Sequence, residues 1–290
     1  MTPRPRIKAP AAVAMIALVC LATSQPSASA QAPATTPCQR PVVLVHDIGR
    51  DQSEFDNLSA ALHENGWCPF TFSYGATATT ALLSTAAGLV ALEEAAAELD
   101  RFVASLPDSA STPPAFVAHG SGSLVTQYFT QHFPRGRALQ QLVTIGPMWN
   151  GTNIAELGTL EQLSRNAGTY DAVLALESPV LDPFCAGCRQ LIAGSTFLRT
   201  LHRDGVPTPG VSYTNIISMS DALVSPPLSA EVPGMRSVVL QEFEPSNKSD
   251  HFHLPDDPAV QQLTRAALGA PDPLTYHQKV STADDTPTGR

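Results

Sequence analysis

The stretch Pro41-Val-Val-Leu-Val45, followed by the loop His46-Asp47-Ile48-Gly49, decides the fold class of this chain. A short continuous apolar run rich in β-branched residues is typical of a strand buried on both faces, as in a parallel sheet. In open α/β sheets, ligands bind at the carboxyl ends of the strands, which is where this polar loop lies. We therefore predict an α/β protein whose site is built from loops that follow buried strands.

The same alternation continues along the chain. Further strands are predicted at residues 69–74, 114–119, 141–145, 211–217 and 237–241. Helical spacing of apolar residues predicts helices at 53–65, 82–106, 123–133 and 258–268. Strands that alternate with helices indicate a mostly parallel sheet with helices on both faces. No internal repeat and no domain boundary is visible, so one domain is expected over residues 38–270.

The first thirty residues are predicted to be a secretory signal peptide. Arg4, Arg6 and Lys8 provide a basic start, and an apolar run of about a dozen residues follows. Ala28-Ser29-Ala30 supplies the small residues that a signal peptidase needs, so cleavage is expected after Ala30. The run is too short to span a bilayer, which takes about 20 residues. We therefore expect a secreted protein without a transmembrane segment.

Two polar segments flank the predicted domain. Residues 31–37 form a Pro/Ala/Thr leader that is expected to be disordered, and residues 271–290 form a flexible tail. Removal of the signal peptide takes the formal net charge from −9 to −12. Such an acidic chain lacks the basic surface needed to bind nucleic acid. No cofactor is predicted.

The predicted mature chain contains four cysteines: Cys38, Cys68, Cys185 and Cys188. An even number in an exported protein favours two disulfides. Four cysteines allow three pairings, and their two distant clusters favour Cys38–Cys68 and Cys185–Cys188. The spacing of the second pair also suits zinc or a redox dithiol. No second CxxC and no thioredoxin-like surroundings support those uses, so no metal site is predicted.

Four polar loops follow predicted strands: His46–Gly49, Ala118–Gly122, the loop at Asp221, and Asp250–His251. Their order along the chain matches that of a hydrolase in which the nucleophile comes first, then the acid, then the histidine. In these loops and around them, the chain resembles the secreted bacterial class 2 lipases, which are α/β-hydrolases. The resemblance runs from about Cys38 to Leu268 and is carried by Val43–His46, Gly66–Gly75, Pro147–Thr152, Gly194–Leu198, Tyr213–Ile216, Asp221–Pro226 and Asp250–His251 with Asp257–Pro258. It implies hydrolysis of a carboxylic ester, a lipid or ester-like small molecule as partner, and a role in lipid metabolism.

The resemblance also implies roles for individual residues. Asp221 would be the acid that orients His251, and His251 would be the general base. The backbone N–H groups of Ile48 and Ser121 would form the oxyanion hole. Asp221 could instead be an ordinary turn residue, and Asp250 is expected to cap its loop. His253 could pair with His251 at a metal, but no third ligand is evident.

The nucleophile position departs from the family pattern. A nucleophile elbow needs small residues two positions before and after its apex, and Ala118 and Gly122 meet this requirement only around Gly120. His119 then fills the place of the histidine that precedes the family's serine. Glycine at the apex offers no nucleophile. Ser121 is the fallback nucleophile, but in this register it starts a helix with its hydroxyl turned about 100° away, where capping is the ordinary role.

Two further departures concern the loops beside the site. Asp47 replaces a glycine of the family's His-Gly-X-Gly oxyanion loop, and the sequence leaves open whether its side chain points inward. A carboxylate about 6 Å from a developing oxyanion would oppose it by roughly 3 kcal/mol. In the family, a cysteine near Cys188 forms a disulfide with the cysteine of a Cys-Pro step that precedes the histidine. Here that step is Glu244-Pro245, so no disulfide is expected to hold the loop that carries His251.

The sequence therefore predicts a secreted lipase- or carboxylesterase-family α/β-hydrolase whose catalysis is impaired at Gly120. One alternative is a working esterase that uses Ser121 with His251 and Asp221. Another is a non-catalytic relative. It would bind either a lipid-like ligand, in a pocket widened by Gly120, or a protein partner. A third is different chemistry in which His251 and Asp221 activate water directly.

Overall fold

A computed structural model describes residues 38–75, 87–107 and 112–269 of the 290-residue chain. The predicted signal peptide at 1–30, the leader at 31–37 and the tail at 271–290 lie outside the described residues. The predictions for those segments therefore remain predictions.

In the part of the chain that the structure describes, six strands form one parallel sheet in the order β2-β1-β3-β4-β5-β6. The strands are β1 Pro41–Val45, β2 Cys68–Phe72, β3 Ala115–His119, β4 Gln141–Ile145, β5 Ser212–Ile217 and β6 Arg236–Val239. The first and fourth have the predicted bounds, and the others shift by one or two residues. The predicted last strand is too long, because residues 240–243 turn into a short helix.

The helices are α1 Asp56–Glu64, α2 Leu92–Ser105, α3 Gly122–His132, α4 Leu157–Asn166, α5 Tyr170–Gln190, α6 Thr196–Arg203, α7 Leu240–Phe243 and α8 Pro258–Ala267. Short 3-10 turns occur at Gln52–Phe55, Gly136–Ala138, Ile154–Glu156, Pro227–Ala230 and His251–Asp256. Residues 82–86 of the helix predicted at 82–106 lie outside the described residues, and residues 87–91 are not helical, so within the described part the helix begins only at Leu92. Gly88, at φ +73°, interrupts helical geometry just before it.

The core lies on both faces of the sheet. Val43 and Val45 of β1 pack on the side of α2 and α3, whereas Val42 and Leu44 pack on the side of α1 and α8. All five residues of β1 are therefore buried. This two-sided burial explains why β1 is a continuous apolar run instead of an alternating one.

Helices α4, α5 and α6 follow β4 and were not predicted. Both disulfides are present: Cys38–Cys68 joins the chain before β1 to the start of β2, and Cys185–Cys188 closes a turn near the end of α5. The backbone leaves helical geometry at Cys185 (φ −158°, ψ 82°). Within the described ranges, no helix is long and apolar enough to cross a bilayer.

Candidate active site

The carboxyl edge of the sheet brings four of the predicted site residues together. Asp47 lies two residues after β1, Gly120 directly follows β3, and Asp221 lies shortly after β5. His251 begins the 3-10 turn beyond α7. Asp47, His251 and Asp221 are only 0%, 1% and 5% exposed. The site is thus a buried cluster of charged side chains.

The turn after β3 places Gly120 against the side chain of Asp47. Gly120 has φ +49°, and a Cβ added there would lie 2.2 Å from Asp47 Oδ1 and 2.3 Å from its Cγ. At Gly122, an added Cβ would lie 2.5 Å from the Val45 carbonyl oxygen, so the start of α3 touches the end of β1. The carboxylate of Asp47 therefore occupies the space that a side chain at position 120 would need.

Asp47 points into the site, which settles the orientation that the sequence left open. Its Oδ2 lies 3.0 Å from His251 Nε2, and its Oδ1 accepts the N–H of Ser121 at 2.7 Å. The expectation that Gly120 widens a ligand pocket is consequently wrong. The volume freed by the missing side chain is filled by a carboxylate from the neighbouring loop.

His251 lies between two carboxylates. Its Nδ1 is 2.6 Å from Asp221 Oδ2, while Asp221 Oδ1 accepts the N–H groups of Leu223 and Val224. Burial by itself would lower the pKa of His251, but the hydrogen bonds and charges of Asp221 and Asp47 raise it to about 10. The ring is therefore an imidazolium at neutral pH and has no nitrogen free to accept a proton.

The ionised form of the Asp47 carboxyl is stabilised as well. Burial by itself would raise the pKa of this carboxyl, but the hydrogen bond and charge of His251, the charge of His119 and the Ser121 N–H lower it well below its usual range. Asp47 and His251 thus form a buried ion pair in which each charge stabilises the other.

A second buried pair supports the first. Glu54 Oε2 accepts the Asp47 N–H at 2.9 Å, and Glu54 Oε1 lies 2.9 Å from His119 Nδ1. The other ring nitrogen of His119 donates to the carbonyl oxygen of His251 at 3.0 Å. Sequence reasoning missed Glu54, because an acidic residue at a helix start is ordinary. Its contact with His119 spans 65 positions.

The loop that carries Asp47 is fixed from its other side by Tyr74. The Tyr74 N–H donates to His46 Nε2 at 3.3 Å, and the Tyr74 hydroxyl donates to the His46 carbonyl oxygen at 3.0 Å. His46 Nδ1 in turn donates to the Asp47 carbonyl oxygen at 2.7 Å. Burial lowers the pKa of His46, which agrees with a neutral ring that donates from one nitrogen and accepts at the other.

Ser121 is not arranged for catalysis. The Ser121 hydroxyl is buried on the side of Tyr74, makes no hydrogen bond to His251, and does not cap the helix end as expected. Its N–H is already taken by Asp47. Ile48, whose N–H is the other predicted donor, directly follows Asp47 in the same loop. One of the two predicted oxyanion donors is therefore occupied.

Asp47, His119 and His251 present donor atoms within 4.8 Å of one another, a spacing that could suit a metal ion. The ring nitrogens of both histidines are engaged by acceptors, so this donor set does not fit a metal without breaking the ion pairs. His253 does not join the cluster. Its exposed ring lies 2.7 Å from Asp250, which also accepts the His253 N–H and caps the turn.

The fold is similar to that of solved lipases. Aspergillus fumigatus lipase B matches with a TM-score of 0.59 at 17% identity over 79% of this chain, and the chain spans only 52% of that protein. Bacillus licheniformis lipase BlEst2 in its mature form matches with a TM-score of 0.55 at 13% identity, covering 80% of this chain and 93% of that one. Paleococcus ferrophilus monoacylglycerol lipase matches with a TM-score of 0.52 at 14% identity, covering 80% and 94%.

No protein-family model and no curated protein matches the sequence. At such low identities, similarity to solved structures establishes the fold alone. With its six-stranded parallel sheet covered by helices on both faces, this protein has the α/β-hydrolase fold of lipases and esterases.

Proposed function

We propose that this protein is a secreted lipase-like α/β-hydrolase that no longer hydrolyses esters and instead binds an ester- or lipid-like small molecule. One observation carries the loss of hydrolysis: the Asp47 carboxylate fills the nucleophile's space and holds His251 Nε2 at 3.0 Å.

Ester hydrolysis of this type needs a nucleophile, a neutral general base and free oxyanion donors. Position 120 has no side chain, His251 is held as an imidazolium, and the Ser121 N–H is bound to Asp47. Loss of the serine alone costs on the order of a million-fold in turnover. The three losses act on one reaction centre, so together they support an inactive protein.

The geometry argues against the two catalytic alternatives. Attack by Ser121 would require a hydrogen bond to His251, and Asp47 occupies that nitrogen. Direct activation of water by His251 and Asp221 meets the same obstacle, because a water molecule would have to displace a buried carboxylate. Neither route has an unoccupied base.

Binding of an ester- or lipid-like molecule is supported by the relatives, since proteins described as lipases and as a monoacylglycerol lipase share the fold. Export is supported by the two disulfides, which persist in oxidising compartments. Mass measurement of protein recovered from culture medium tests export: a chain that starts at Gln31 is expected, and an intact N-terminus would contradict it.

The loss of hydrolysis is tested with a fluorophosphonate probe and a p-nitrophenyl butyrate assay. The wild-type protein is expected to show neither labelling nor turnover above buffer. A covalent adduct on Ser121, or turnover that disappears in His251→Ala, would overturn the proposal.

A positive control comes from the same chain. Gly120→Ser combined with Asp47→Gly is expected to gain labelling at the introduced serine, because the clash and the second carboxylate on His251 are both removed. Gly120→Ser alone should stay unlabelled, since Asp47 still occupies the site. Labelling of that single variant would show that Asp47 is not the obstacle.

A further inference from the structure

The segment Cys185-Ala-Gly-Cys188 is a disulfide-closed motif that the proposed function does not use. It lies near the end of α5, and its two cysteines are bonded to each other. The sequence around it contains nothing that favours redox use, but its place in the structure does. One of the two cysteines is exposed, and contacts that do not depend on the S–S bond hold the turn between them.

Cys188 is the most accessible cysteine of the described residues. It is exposed, whereas Cys38, Cys68 and Cys185 are half-buried. Thiol–disulfide exchange begins when a thiolate attacks one sulfur of a disulfide, so its rate depends on access to that sulfur. An incoming thiolate is therefore expected to attack Cys188 before the other three.

The sulfur of Cys185 has a hydrogen-bond donor in place. The Cys188 N–H donates to Cys185 Sγ at 3.2 Å. Such a hydrogen bond stabilises a thiolate more than a disulfide sulfur, because the thiolate carries a full negative charge. Exchange is faster when the leaving thiolate is more stable. Attack on Cys188 would therefore release Cys185 as a stabilised thiolate.

The nearest charges in the sequence do not distinguish the two sulfurs. Arg189 follows Cys188 directly, but it donates to Asp182 at 2.6 Å and to Ser178 Oγ at 2.7 Å. Its positive charge is thus offset by a carboxylate. In the part of the chain that the structure describes, the Cys188 N–H is the one hydrogen-bond donor to either sulfur. The two sulfurs therefore differ in exposure and in this hydrogen bond.

The turn between the two cysteines is docked on the segment that precedes α2. The Gly187 N–H donates to the Leu89 carbonyl oxygen at 3.2 Å. A Cβ added at Gly187 would lie 2.7 Å from the Val90 carbonyl oxygen, so the two backbones touch. This close approach requires glycine in the middle of the motif.

A second set of contacts fixes the chain just after the turn. Gln190 accepts the Leu92 N–H at 2.7 Å and donates to Glu93 at 2.6 Å. No cysteine takes part in these contacts, so we expect them to persist when the disulfide is reduced. The two thiols would then stay close together, which favours closing the bond again. The fold needs this bridge little, because a bridge between residues 3 positions apart restricts the unfolded chain only weakly.

We propose that Cys185–Cys188 is a reversible thiol–disulfide exchange site whose substrate is a dithiol. One thiolate of the dithiol attacks Cys188 Sγ, the S–S bond breaks, and Cys185 leaves as a thiolate. The second thiolate of the dithiol then attacks the dithiol sulfur of the mixed disulfide and releases Cys188. The dithiol loses two electrons and becomes a disulfide, and its two protons pass to the two cysteines. This inference does not depend on the proposed function, since no residue of the buried ion pairs takes part.

Limiting dithiothreitol, acid quenching and peptide mapping by mass spectrometry test the site on the oxidised wild-type chain. We expect Cys185–Cys188 to be reduced at least about tenfold faster than Cys38–Cys68. The circular dichroism spectrum should stay unchanged, because the short bridge contributes little to stability. Equal or faster reduction of Cys38–Cys68, or unfolding when Cys185–Cys188 opens, would overturn the proposal.

Glutathione, which has one thiol, distinguishes the two sulfurs. The mixed disulfide is trapped by alkylating the released cysteine with N-ethylmaleimide and is then mapped by mass spectrometry. We expect glutathione on Cys188 and the alkyl group on Cys185. Glutathione mainly on Cys185 would overturn the assigned order of attack.

Transfer to a substrate is tested with an excess of a reduced peptide that contains two cysteines. Each oxidised protein molecule is expected to oxidise about one peptide, with Cys185 and Cys188 becoming reduced. The double variant Cys185→Ser/Cys188→Ser keeps Cys38–Cys68 and should leave the peptide reduced. Oxidation by this variant, or no oxidation by the wild type, would overturn the proposal.

Gly187→Ala tests whether the docked turn makes the exchange reversible. Its Cβ would not fit against the Val90 carbonyl, so after reduction we expect oxidised glutathione to close the bridge at least about tenfold more slowly than in the wild type. Gly168→Ala is the matched control. Gly168 lies between α4 and α5, where an added Cβ meets nothing within 4 Å, and this variant should close at the wild-type rate. Equal closure rates in the two variants would overturn the role assigned to the docked turn.

Discussion

Gly120→Ala is expected to destabilise the protein far more than an ordinary glycine-to-alanine change, because of Asp47. Two effects contribute. A non-glycine residue at φ +49° costs about 1–2 kcal/mol. The added Cβ would also lie 2.2 Å from Asp47 Oδ1 and would push the carboxylate off His251. Separating a buried ion pair costs about 3–5 kcal/mol.

The expected loss in the free energy of unfolding is therefore about 4–7 kcal/mol. Gly66→Ala is the matched control, since Gly66 has φ +78° and an added Cβ there meets nothing within 4 Å. It should cost only the backbone strain of about 1–2 kcal/mol. Urea unfolding followed by circular dichroism measures both variants on the same scale.

A double-mutant cycle isolates the role of Asp47. In the Asp47→Gly background the steric conflict is gone, so adding Gly120→Ala should cost only about 1–2 kcal/mol. The coupling energy between the two positions is then about 3–5 kcal/mol. If Gly120→Ala alone fails to fold, folding should be recovered in the double variant. A cost equal to that of Gly66→Ala, or a coupling near zero, would refute the assignment of Asp47 to the space at Gly120.

Two further predictions concern pH and the disulfides. The pKa of His251 is raised from 6.5 to about 10, so its contribution to stability is present in full below about pH 6.5 and is lost as pH rises through 10. An NMR titration of the His251 ring is expected to give a midpoint near 10 in the wild type and a lower one in Asp47→Asn, and a wild-type midpoint near 6.5 would contradict the ion pair. Cys38 and Cys68 are 30 positions apart, whereas Cys185 and Cys188 are only 3 apart. Because a longer closed loop restricts the unfolded chain more, replacing Cys38 and Cys68 by alanine should lower the free energy of unfolding by about 4 kcal/mol. Replacing Cys185 and Cys188 should lower it by under about 2 kcal/mol, as measured by urea unfolding. Equal costs would contradict the loop-closure reasoning.

Much of the fold could be predicted from sequence, because a buried parallel sheet leaves a simple pattern. The run at residues 41–45 is apolar at every position, since one alternate set of its side chains packs on α2 and α3 and the other on α1 and α8. The small residues at Gly120 and Gly122 likewise mark a turn where α3 starts against the end of β1.

Helices α4 and α5 were not predictable in the same way. Their outer leucines, such as Leu160 and Leu163, are exposed, and Pro179 and Pro183 lie inside α5. An apolar period that does not face a core gives a weak helical signal.

The sequence by itself determined the sheet, the loops at its carboxyl edge, the absence of a side chain at Gly120 and the presence of Asp47 in the first loop. Only the tertiary structure showed that the missing side chain and Asp47 belong to the same site. Asp47 fills the space at Gly120 and pairs with His251, 204 positions away. The physical reason is that periodicity reports which face of a strand is buried. The direction of a loop side chain is set by the charges that meet it, here the imidazolium of His251 and the N–H of Ser121.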